Sequence, residues 1–400
     1  MTNQSRQDQP AASTSTVSCD EPAAGRRRTP VTIALVAIPL AVLLAVWTQG
    51  VSPFELRLGV NHERLKPWGA NYGPSTANGE GWRLLSAVFI PANVAQFLVN
   101  AWALWGLGRF LERLVGGFAF GVLFVLCGFA GNLSALIWNP AAVIAGAAPA
   151  ILGLVAAGAA IFLCSRGAVS QGAMSQGAVS QIAVSQGAAP REVVKRFRLS
   201  LFTFLAFNAG GELMQDCLVF AAYLGAAATG FVSGLVLGWP LSGVEGQSRA
   251  VRGGFLAFTA VVSALLAPTL TPRVDNVDAL YFELVDVEHK AVEIYEMAKA
   301  GREQGRLNDV ELANIIEDEV LPYWREMSER FAALHHVLPH DVKRLAAIKE
   351  YLKRRDDAWQ TLADGLRQDD HELIDSAIQK AAEADEAAAA IGTAARPGNE

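Results

Sequence analysis

The sequence predicts an all-α protein: a polytopic membrane helix bundle of seven spans (six plus one) followed by a C-terminal soluble helical bundle. Three observations carry this. The 400 residues are 52% hydrophobic and only 18% charged, too apolar on average for an ordinary soluble chain. The charge is unevenly placed: from residue 272 onward 28 acidic residues face 16 basic ones, so the tail carries −12 and the rest of the chain +6. The apolar stretches come in runs close to the ~20 residues that cross a bilayer, whereas the tail has the three-and-four spacing of amphipathic helices. Residues 1–29, 30–271 and 272–400 therefore read as three regions.

Residues 1–29 are Ser, Thr, Gln, Pro, Ala and charge, too polar to bury a core, and are expected to be a disordered cytoplasmic N-terminus. Arg26, Arg27 and Arg28 abut the first apolar run, 31–47. A cleaved secretory signal is the rival reading, but no clear small-residue cleavage site follows before Pro53. A retained span is expected, with its basic end in the cytoplasm. Residues 51–90 form a long non-cytoplasmic loop that ends on Trp82 and Arg83, a ring suited to the interface and a cation able to reach headgroups or carbonyls.

The second span is about 92–107. It leads into a turn where Glu112 is placed to pair locally with Arg109 and Arg113, and the arginines mark the cytoplasmic side. The third span is about 118–138, with Gly121, Gly128 and Gly131 as close-packing positions. The fourth runs from about Ala148 to Cys164, and Pro149 suits its first turn because the N–H it lacks has no intrahelical partner there. Residues 167–190 hold a five-residue repeat of the Gly-Ala-Val-Ser-Gln type, read as a low-complexity linker. A fifth span is expected at about 199–213 and a sixth at about 218–238. In the sixth, Ala226, Gly230 and Gly234 share a face. Arg249 and Arg252 precede a seventh run, 253–270, which returns the chain to the outside. In the tail, Leu280, Leu284 and Val287, then Leu312, Ile315, Ile316 and Val320, repeat at helical spacing. Pro322 is expected to kink or break the second helix. Pro339 and the pair Asp369 and Asp370 punctuate before a third and a fourth, giving a four-helix bundle.

These runs carry motifs. Residues 143–153 include Gly146, Ala150 and Gly153; residues 79–86 carry Trp82 and Arg83; residues 108–116 spell Gly-Arg-Phe-Leu-Glu-Arg-Leu-Val-Gly; and Ala226, Gly230 and Gly234 form a ladder. In this order they resemble the rhomboid intramembrane serine proteases over roughly 68–239. The resemblance implies a rhomboid-like fold and a family chemistry in which a Ser nucleophile and a His base cut a peptide bond, assisted by oxyanion donors. Trp82, Arg83, Glu112, Gly146, Ala226 and Gly230 match its scaffold or substrate groove. The chemical positions do not match. The nucleophile position is Ala148, the following Gly is Pro149, and the base position is Tyr223. Two further family His positions are Pro91 and Gln96, and the oxyanion Asn is kept as Asn100. No Ser, Thr or Cys lies between Asn139 and Phe162 to replace the nucleophile.

The resemblance and its departures imply a pseudoprotease that binds transmembrane segments of clients among membrane lipids. The rival classes are an active intramembrane peptidase with a non-standard nucleophile and a sensor built on the tail. Asn100 and Gln96 could equally serve as interhelical hydrogen-bonding groups, and Tyr223 could pack with its hydroxyl at the outer interface. Nothing in the charge pattern favours nucleic acid. The four cysteines lack metal spacing. His289 with Asp286 and Glu293, and the pair His335 and His336, read as solvated helix positions, so no cofactor or metal is expected. The location expected is a bacterial inner membrane, with the N-terminus cytoplasmic and the tail periplasmic or extracellular.

Overall fold

A computed structural model describes residues 29–49, 62–170, 220–238 and 245–394. The expected disordered N-terminus, most of the repeat linker and the fifth span lie outside the described residues. The other six apolar runs are helices: α1 (Pro30–Thr48), α4 (Val94–Val115), α5 (Gly117–Trp138), α6 (Ala148–Ser170), α7 (Phe220–Gly238) and α8 (Glu245–Leu270). Two short helices, α2 (Gly73–Ala77) and α3 (Arg83–Ser86), lie after a 3₁₀ turn at His62–Trp68 in the loop between α1 and α4, named the outer loop for the orientation that the sequence predicts. Among the described residues four helices are long and apolar enough to cross a membrane by themselves. A fifth span is made if Arg83–Phe89 and Val94–Val115, bent by 90°, count as one. The apolar part of α6, Ala148–Cys164, is about 25 Å long at 1.5 Å per residue, short of a ~30 Å hydrocarbon core.

The N-terminus of α1 is capped from another helix. Thr29 makes no side-chain cap, and Pro30 has no N–H to satisfy. The carboxylate of Glu112 on α4 instead accepts from Val31 N at 3.0 Å, Thr32 N at 2.8 Å and Thr32 Oγ1 at 2.7 Å. These backbone donors have no partner inside their own helix, and the positive end of the helix dipole favours an anion there. Glu112 is only 5% exposed. The expected local pairing with Arg109 and Arg113 is therefore corrected: the carboxylate is turned inward to α1, while Arg109 lies 5.2 Å from the Trp105 ring centroid. This clamp places the start of α1 and the end of α4 on one side. Arg252 of α8, donating to Leu237 O at the end of α7, and Gly253, beside Phe118 at the start of α5, tie two further arginine-marked ends together. α8 then runs to the opposite side, where Ala267 packs with Leu84 and Leu136.

α6 and α7 meet backbone to backbone. A methyl built on Gly230 would lie 2.0 Å from Gly153 O, and one on Gly234 would lie 2.4 Å from Ala157 O. Ala226 is fully buried in the same seam. Lipid offers no hydrophobic drive between helices, so such contact relies on small residues and van der Waals packing. The third span supplies the facing glycines: a methyl on Gly128 would meet Val88 and Ala150, and one on Gly131 would meet Ala222 O, Pro149 and Ala226.

The tail forms four helical arms: α9 (Val277–Glu303), an arm from α10 (Asp309–Ile315) into α11 (Leu321–Ala332), α12 (Val342–Gln368) and α13 (His371–Ala394). Pro322 does not break the second arm, which stays helical from Asp309 to Ala332. A π-helical segment, Ile316–Val320, joins α10 to α11, and Pro322 falls in the first turn of α11, where its missing N–H is tolerated. Trp324, Phe331, Leu284 and Ile348 fill the main core.

Gly230→Ala should lower the thermal midpoint of the detergent-solubilised protein, at a cost of about 1–3 kcal/mol for overpacking. Gly158→Ala, whose new methyl would sit 3.6 Å from Leu111 Cδ2, should be neutral. Equal midpoints for the two variants would remove the seam from the list of stabilising contacts.

Candidate functional site

The site is a turn held by the outer loop. Asn71 and Ile144 form an antiparallel bridge, each N–H donating to the other's carbonyl at 2.9 Å. Asn71 Nδ2 donates to Asn132 O at 3.0 Å, Thr76 Oγ1 donates to Asn71 Oδ1 at 2.9 Å, and Asn132 Nδ2 donates to Leu84 O at 2.9 Å. Asn71 and Asn132 are both buried, so the amides satisfy each other's surroundings away from water. Sequence reasoning did not single out this pair as site residues. The available signal was Asn132, the one carboxamide in the apolar run of α5.

Two residues beyond the bridge, Gly146 adopts φ +119°, a conformation that L side chains rarely take. Its N–H donates to Ala87 O at 2.8 Å. A methyl on Gly146 would also meet the Gln96 amide at about 3.1 Å. Backbone shape and close approach therefore both demand glycine. α6 starts at Ala148 immediately afterwards.

Arg83 is buried and holds the loop from within. It pairs with Glu80 and donates to Lys66 O, and its Nη1 reaches Ala70 O at 3.1 Å. Of the two targets open to it, headgroups or carbonyls, the guanidinium takes carbonyls. Ser86 Oγ adds a bond to Gly69 O at 2.7 Å. Trp82 is 53% exposed and lies 5.0 Å from the Arg83 guanidinium carbon.

Ala148 and Tyr223 fall within one apolar assembly, Ala148 buried and Tyr223 partly buried against it. Pro149 packs near Gly131, which also touches Ala222 and Ala226 on either side of Tyr223. The fold thus brings the two family chemical positions to neighbouring elements. A methyl cannot attack a carbonyl, and a phenol keeps its proton at neutral pH in water. Gln96 and Asn100 part company with the interhelical reading. Gln96 Oε1 accepts from Ala92 N at 2.9 Å, just ahead of its own helix, whose N-terminus Asn93 caps. Asn100 is 7% exposed, and its Oδ1 has no hydrogen-bond partner among the described residues. It lines a small, mostly apolar crevice with Pro39, Val88, Phe97 and Ala147. An unmade hydrogen bond at that depth is costly.

Residues 78–243 match the family model of the Rhomboid domain. That stretch is a Rhomboid domain within an integral membrane protein. The chain is 23% identical over 255 residues to "Rhomboid protease GluP" of Bacillus subtilis, covering 64% of this chain and 42% of that protein. It is 35% identical over 78 residues to "RHOMBOID-like protein 1" of Arabidopsis thaliana, 20% of each chain. It is 28% identical over 95 residues to "Rhomboid-like protease 3" of Toxoplasma gondii, 24% of this chain and 36% of the relative. The chain thus spans well under half the length of these relatives, and the tail lies beyond the matched domain.

In the tail, no group of three His, Cys, Asp or Glu side chains among the described residues is placed to hold a metal ion. His289 Nδ1 lies 3.0 Å from Val285 O on its own helix. The backbone N–H groups of His335 and His336 both donate to Asp275 Oδ2 at 2.7 Å.

Proposed function

We propose that this chain is a rhomboid-like pseudoprotease that binds transmembrane segments of client proteins without cutting them. The observation that carries the reading is Ala148 at the nucleophile position, between a glycine that keeps its special backbone geometry and a proline. The Tyr223 substitution supports it. Covalent acyl transfer needs an activated nucleophile and a base, and losing either costs orders of magnitude in rate. The close packing at Gly131, Gly153 and Gly230 around them favours retained binding over decay. α4 presents Leu98, Trp102 and Trp105 outward, at spacings of four and three that put them on one lipid-facing stripe, on the face of the helix opposite the buried Asn100. A client helix would pack along that stripe. The reading invokes no cofactor, metal or nucleic acid.

A photo-crosslinking residue at Leu98 or Trp102, irradiated in intact cells, should capture transmembrane proteins at full length. A serine-directed fluorophosphonate probe should leave the purified protein unlabelled. Cleaved client fragments, or labelling mapped to residues 146–153 or to another membrane serine, would favour the rival active peptidase.

We also place the N-terminus in the cytoplasm and the tail outside it. Arg109, Arg113 and Arg252 gather at one side of the helix bundle, and an excess of basic residues marks the cytoplasmic side. α8 leads from that side to the tail. A single cysteine in the tail of a cysteine-free variant should react with a membrane-impermeant maleimide in intact cells whose outer membrane, if any, is permeabilised. Protection until the inner membrane is broken would reverse the assignment.

A further inference from the structure

The tail does not hang free of the membrane domain. Asn78 Nδ2, in the outer loop, donates to Val274 O at 2.6 Å. Val274 and Leu338 from the tail pack with Tyr72 from the outer loop, and Ala141 and Val143 border the same cluster. The Lys66 ammonium sits 3.5 Å from the Tyr72 ring centroid. The tail's side of the joint is itself braced: Asp275 N donates to His336 O at 2.9 Å, and Asp275 Oδ2 accepts the two histidine N–H bonds described above.

The joint leads directly to the site. Tyr72 follows Asn71, half of the bridge to Ile144, and Gly73 N donates to Pro140 O at 3.0 Å. Gly146 lies two residues past Ile144. Tail, outer loop and site turn therefore form one continuous chain of contacts. We propose that the C-terminal bundle is a latch on the outer loop: seated, it holds residues 70–78 and 140–146 in place, and unseating it loosens the outer wall of the site. The latch rests on these contacts and does not require that the groove take a client.

Val274 and Leu338 stand outside the bundle's own cores, so Leu338→Glu should undock the tail and leave it folded. In full-length protein in nanodiscs, hydrogen exchange should then speed up about tenfold or more at 70–78 and 141–146, with local opening no longer opposed by the joint, while α9 and α12 keep their protection. Unchanged exchange in the outer loop of a folded Leu338→Glu variant would overturn the proposal. Should the substitution damage the bundle, the pair Tyr72→Cys with Leu338→Cys decides, in a chain freed of its other cysteines. A disulfide that forms in membranes, and whose reduction speeds exchange at 141–146, supports the latch. Failure to crosslink, or exchange indifferent to reduction, overturns it. Client capture is a separate readout, so the latch and the pseudoprotease reading can fail independently.

Discussion

The membrane domain depends on a backbone-to-backbone contact between α6 and α7. Gly230 and Gly234 lie so close to the Gly153 and Ala157 carbonyls that no side chain fits between. Apolar surface gains nothing by leaving lipid for other apolar surface, so close approach and dispersion must hold the helices. The same seam aligns the start of α6, where Ala148 lies, with the first turns of α7, where Tyr223 lies. A contact that stabilises the fold thus also sets the spacing of the site. On the proposed pseudoprotease reading, such a contact would hold the spacing of residues 148 and 223 whatever side chains stand there.

The second constraint is polar. In a low-dielectric interior each unpaired donor or acceptor is costly, and the chain meets this with long-range side-chain bonds. Glu112 caps α1 from α4, Arg83 collects the carbonyls of the outer loop, and Asn71 with Asn132 ties that loop to α5. Asn100 is the contrast. Its carbonyl oxygen, without a partner among the described residues, borders a small crevice that Ala147, next to Ala148, also lines, and an unmade bond at that depth calls for a reason other than stability.

The helices and the small-residue face of α7 were legible in the sequence, because small residues at fixed spacing and apolar runs are local signals; the left-handed backbone of Gly146 was not. The partners of polar side chains were not. Glu112 looked like a member of an arginine cluster, since its true partners lie some 80 residues away, and spacing along one helix says nothing of a neighbour's open end. Pro322 looked like a break because a proline's effect depends on whether a turn can widen ahead of it, as the π-helical segment does here. The joint between Tyr72 and Leu338 was also invisible, since it links loops from two regions that the composition separates by solvent. Ala148, Pro149 and Tyr223 were legible only through family resemblance; as isolated residues they are ordinary members of a membrane core.

The central proposal is that the chain keeps a rhomboid-like scaffold and lacks the reacting groups and part of the oxyanion site. Fluorophosphonate labelling of repaired chains tests it most directly. Ala148→Ser with Tyr223→His alone should label poorly, because Pro149 still lacks the N–H beside the oxyanion position, and one missing donor there can cost about 10²–10³ in rate. Adding Pro149→Gly and Gln96→His should give labelling at residue 148. A folded fourfold variant that stays unlabelled at residue 148 would contradict the account.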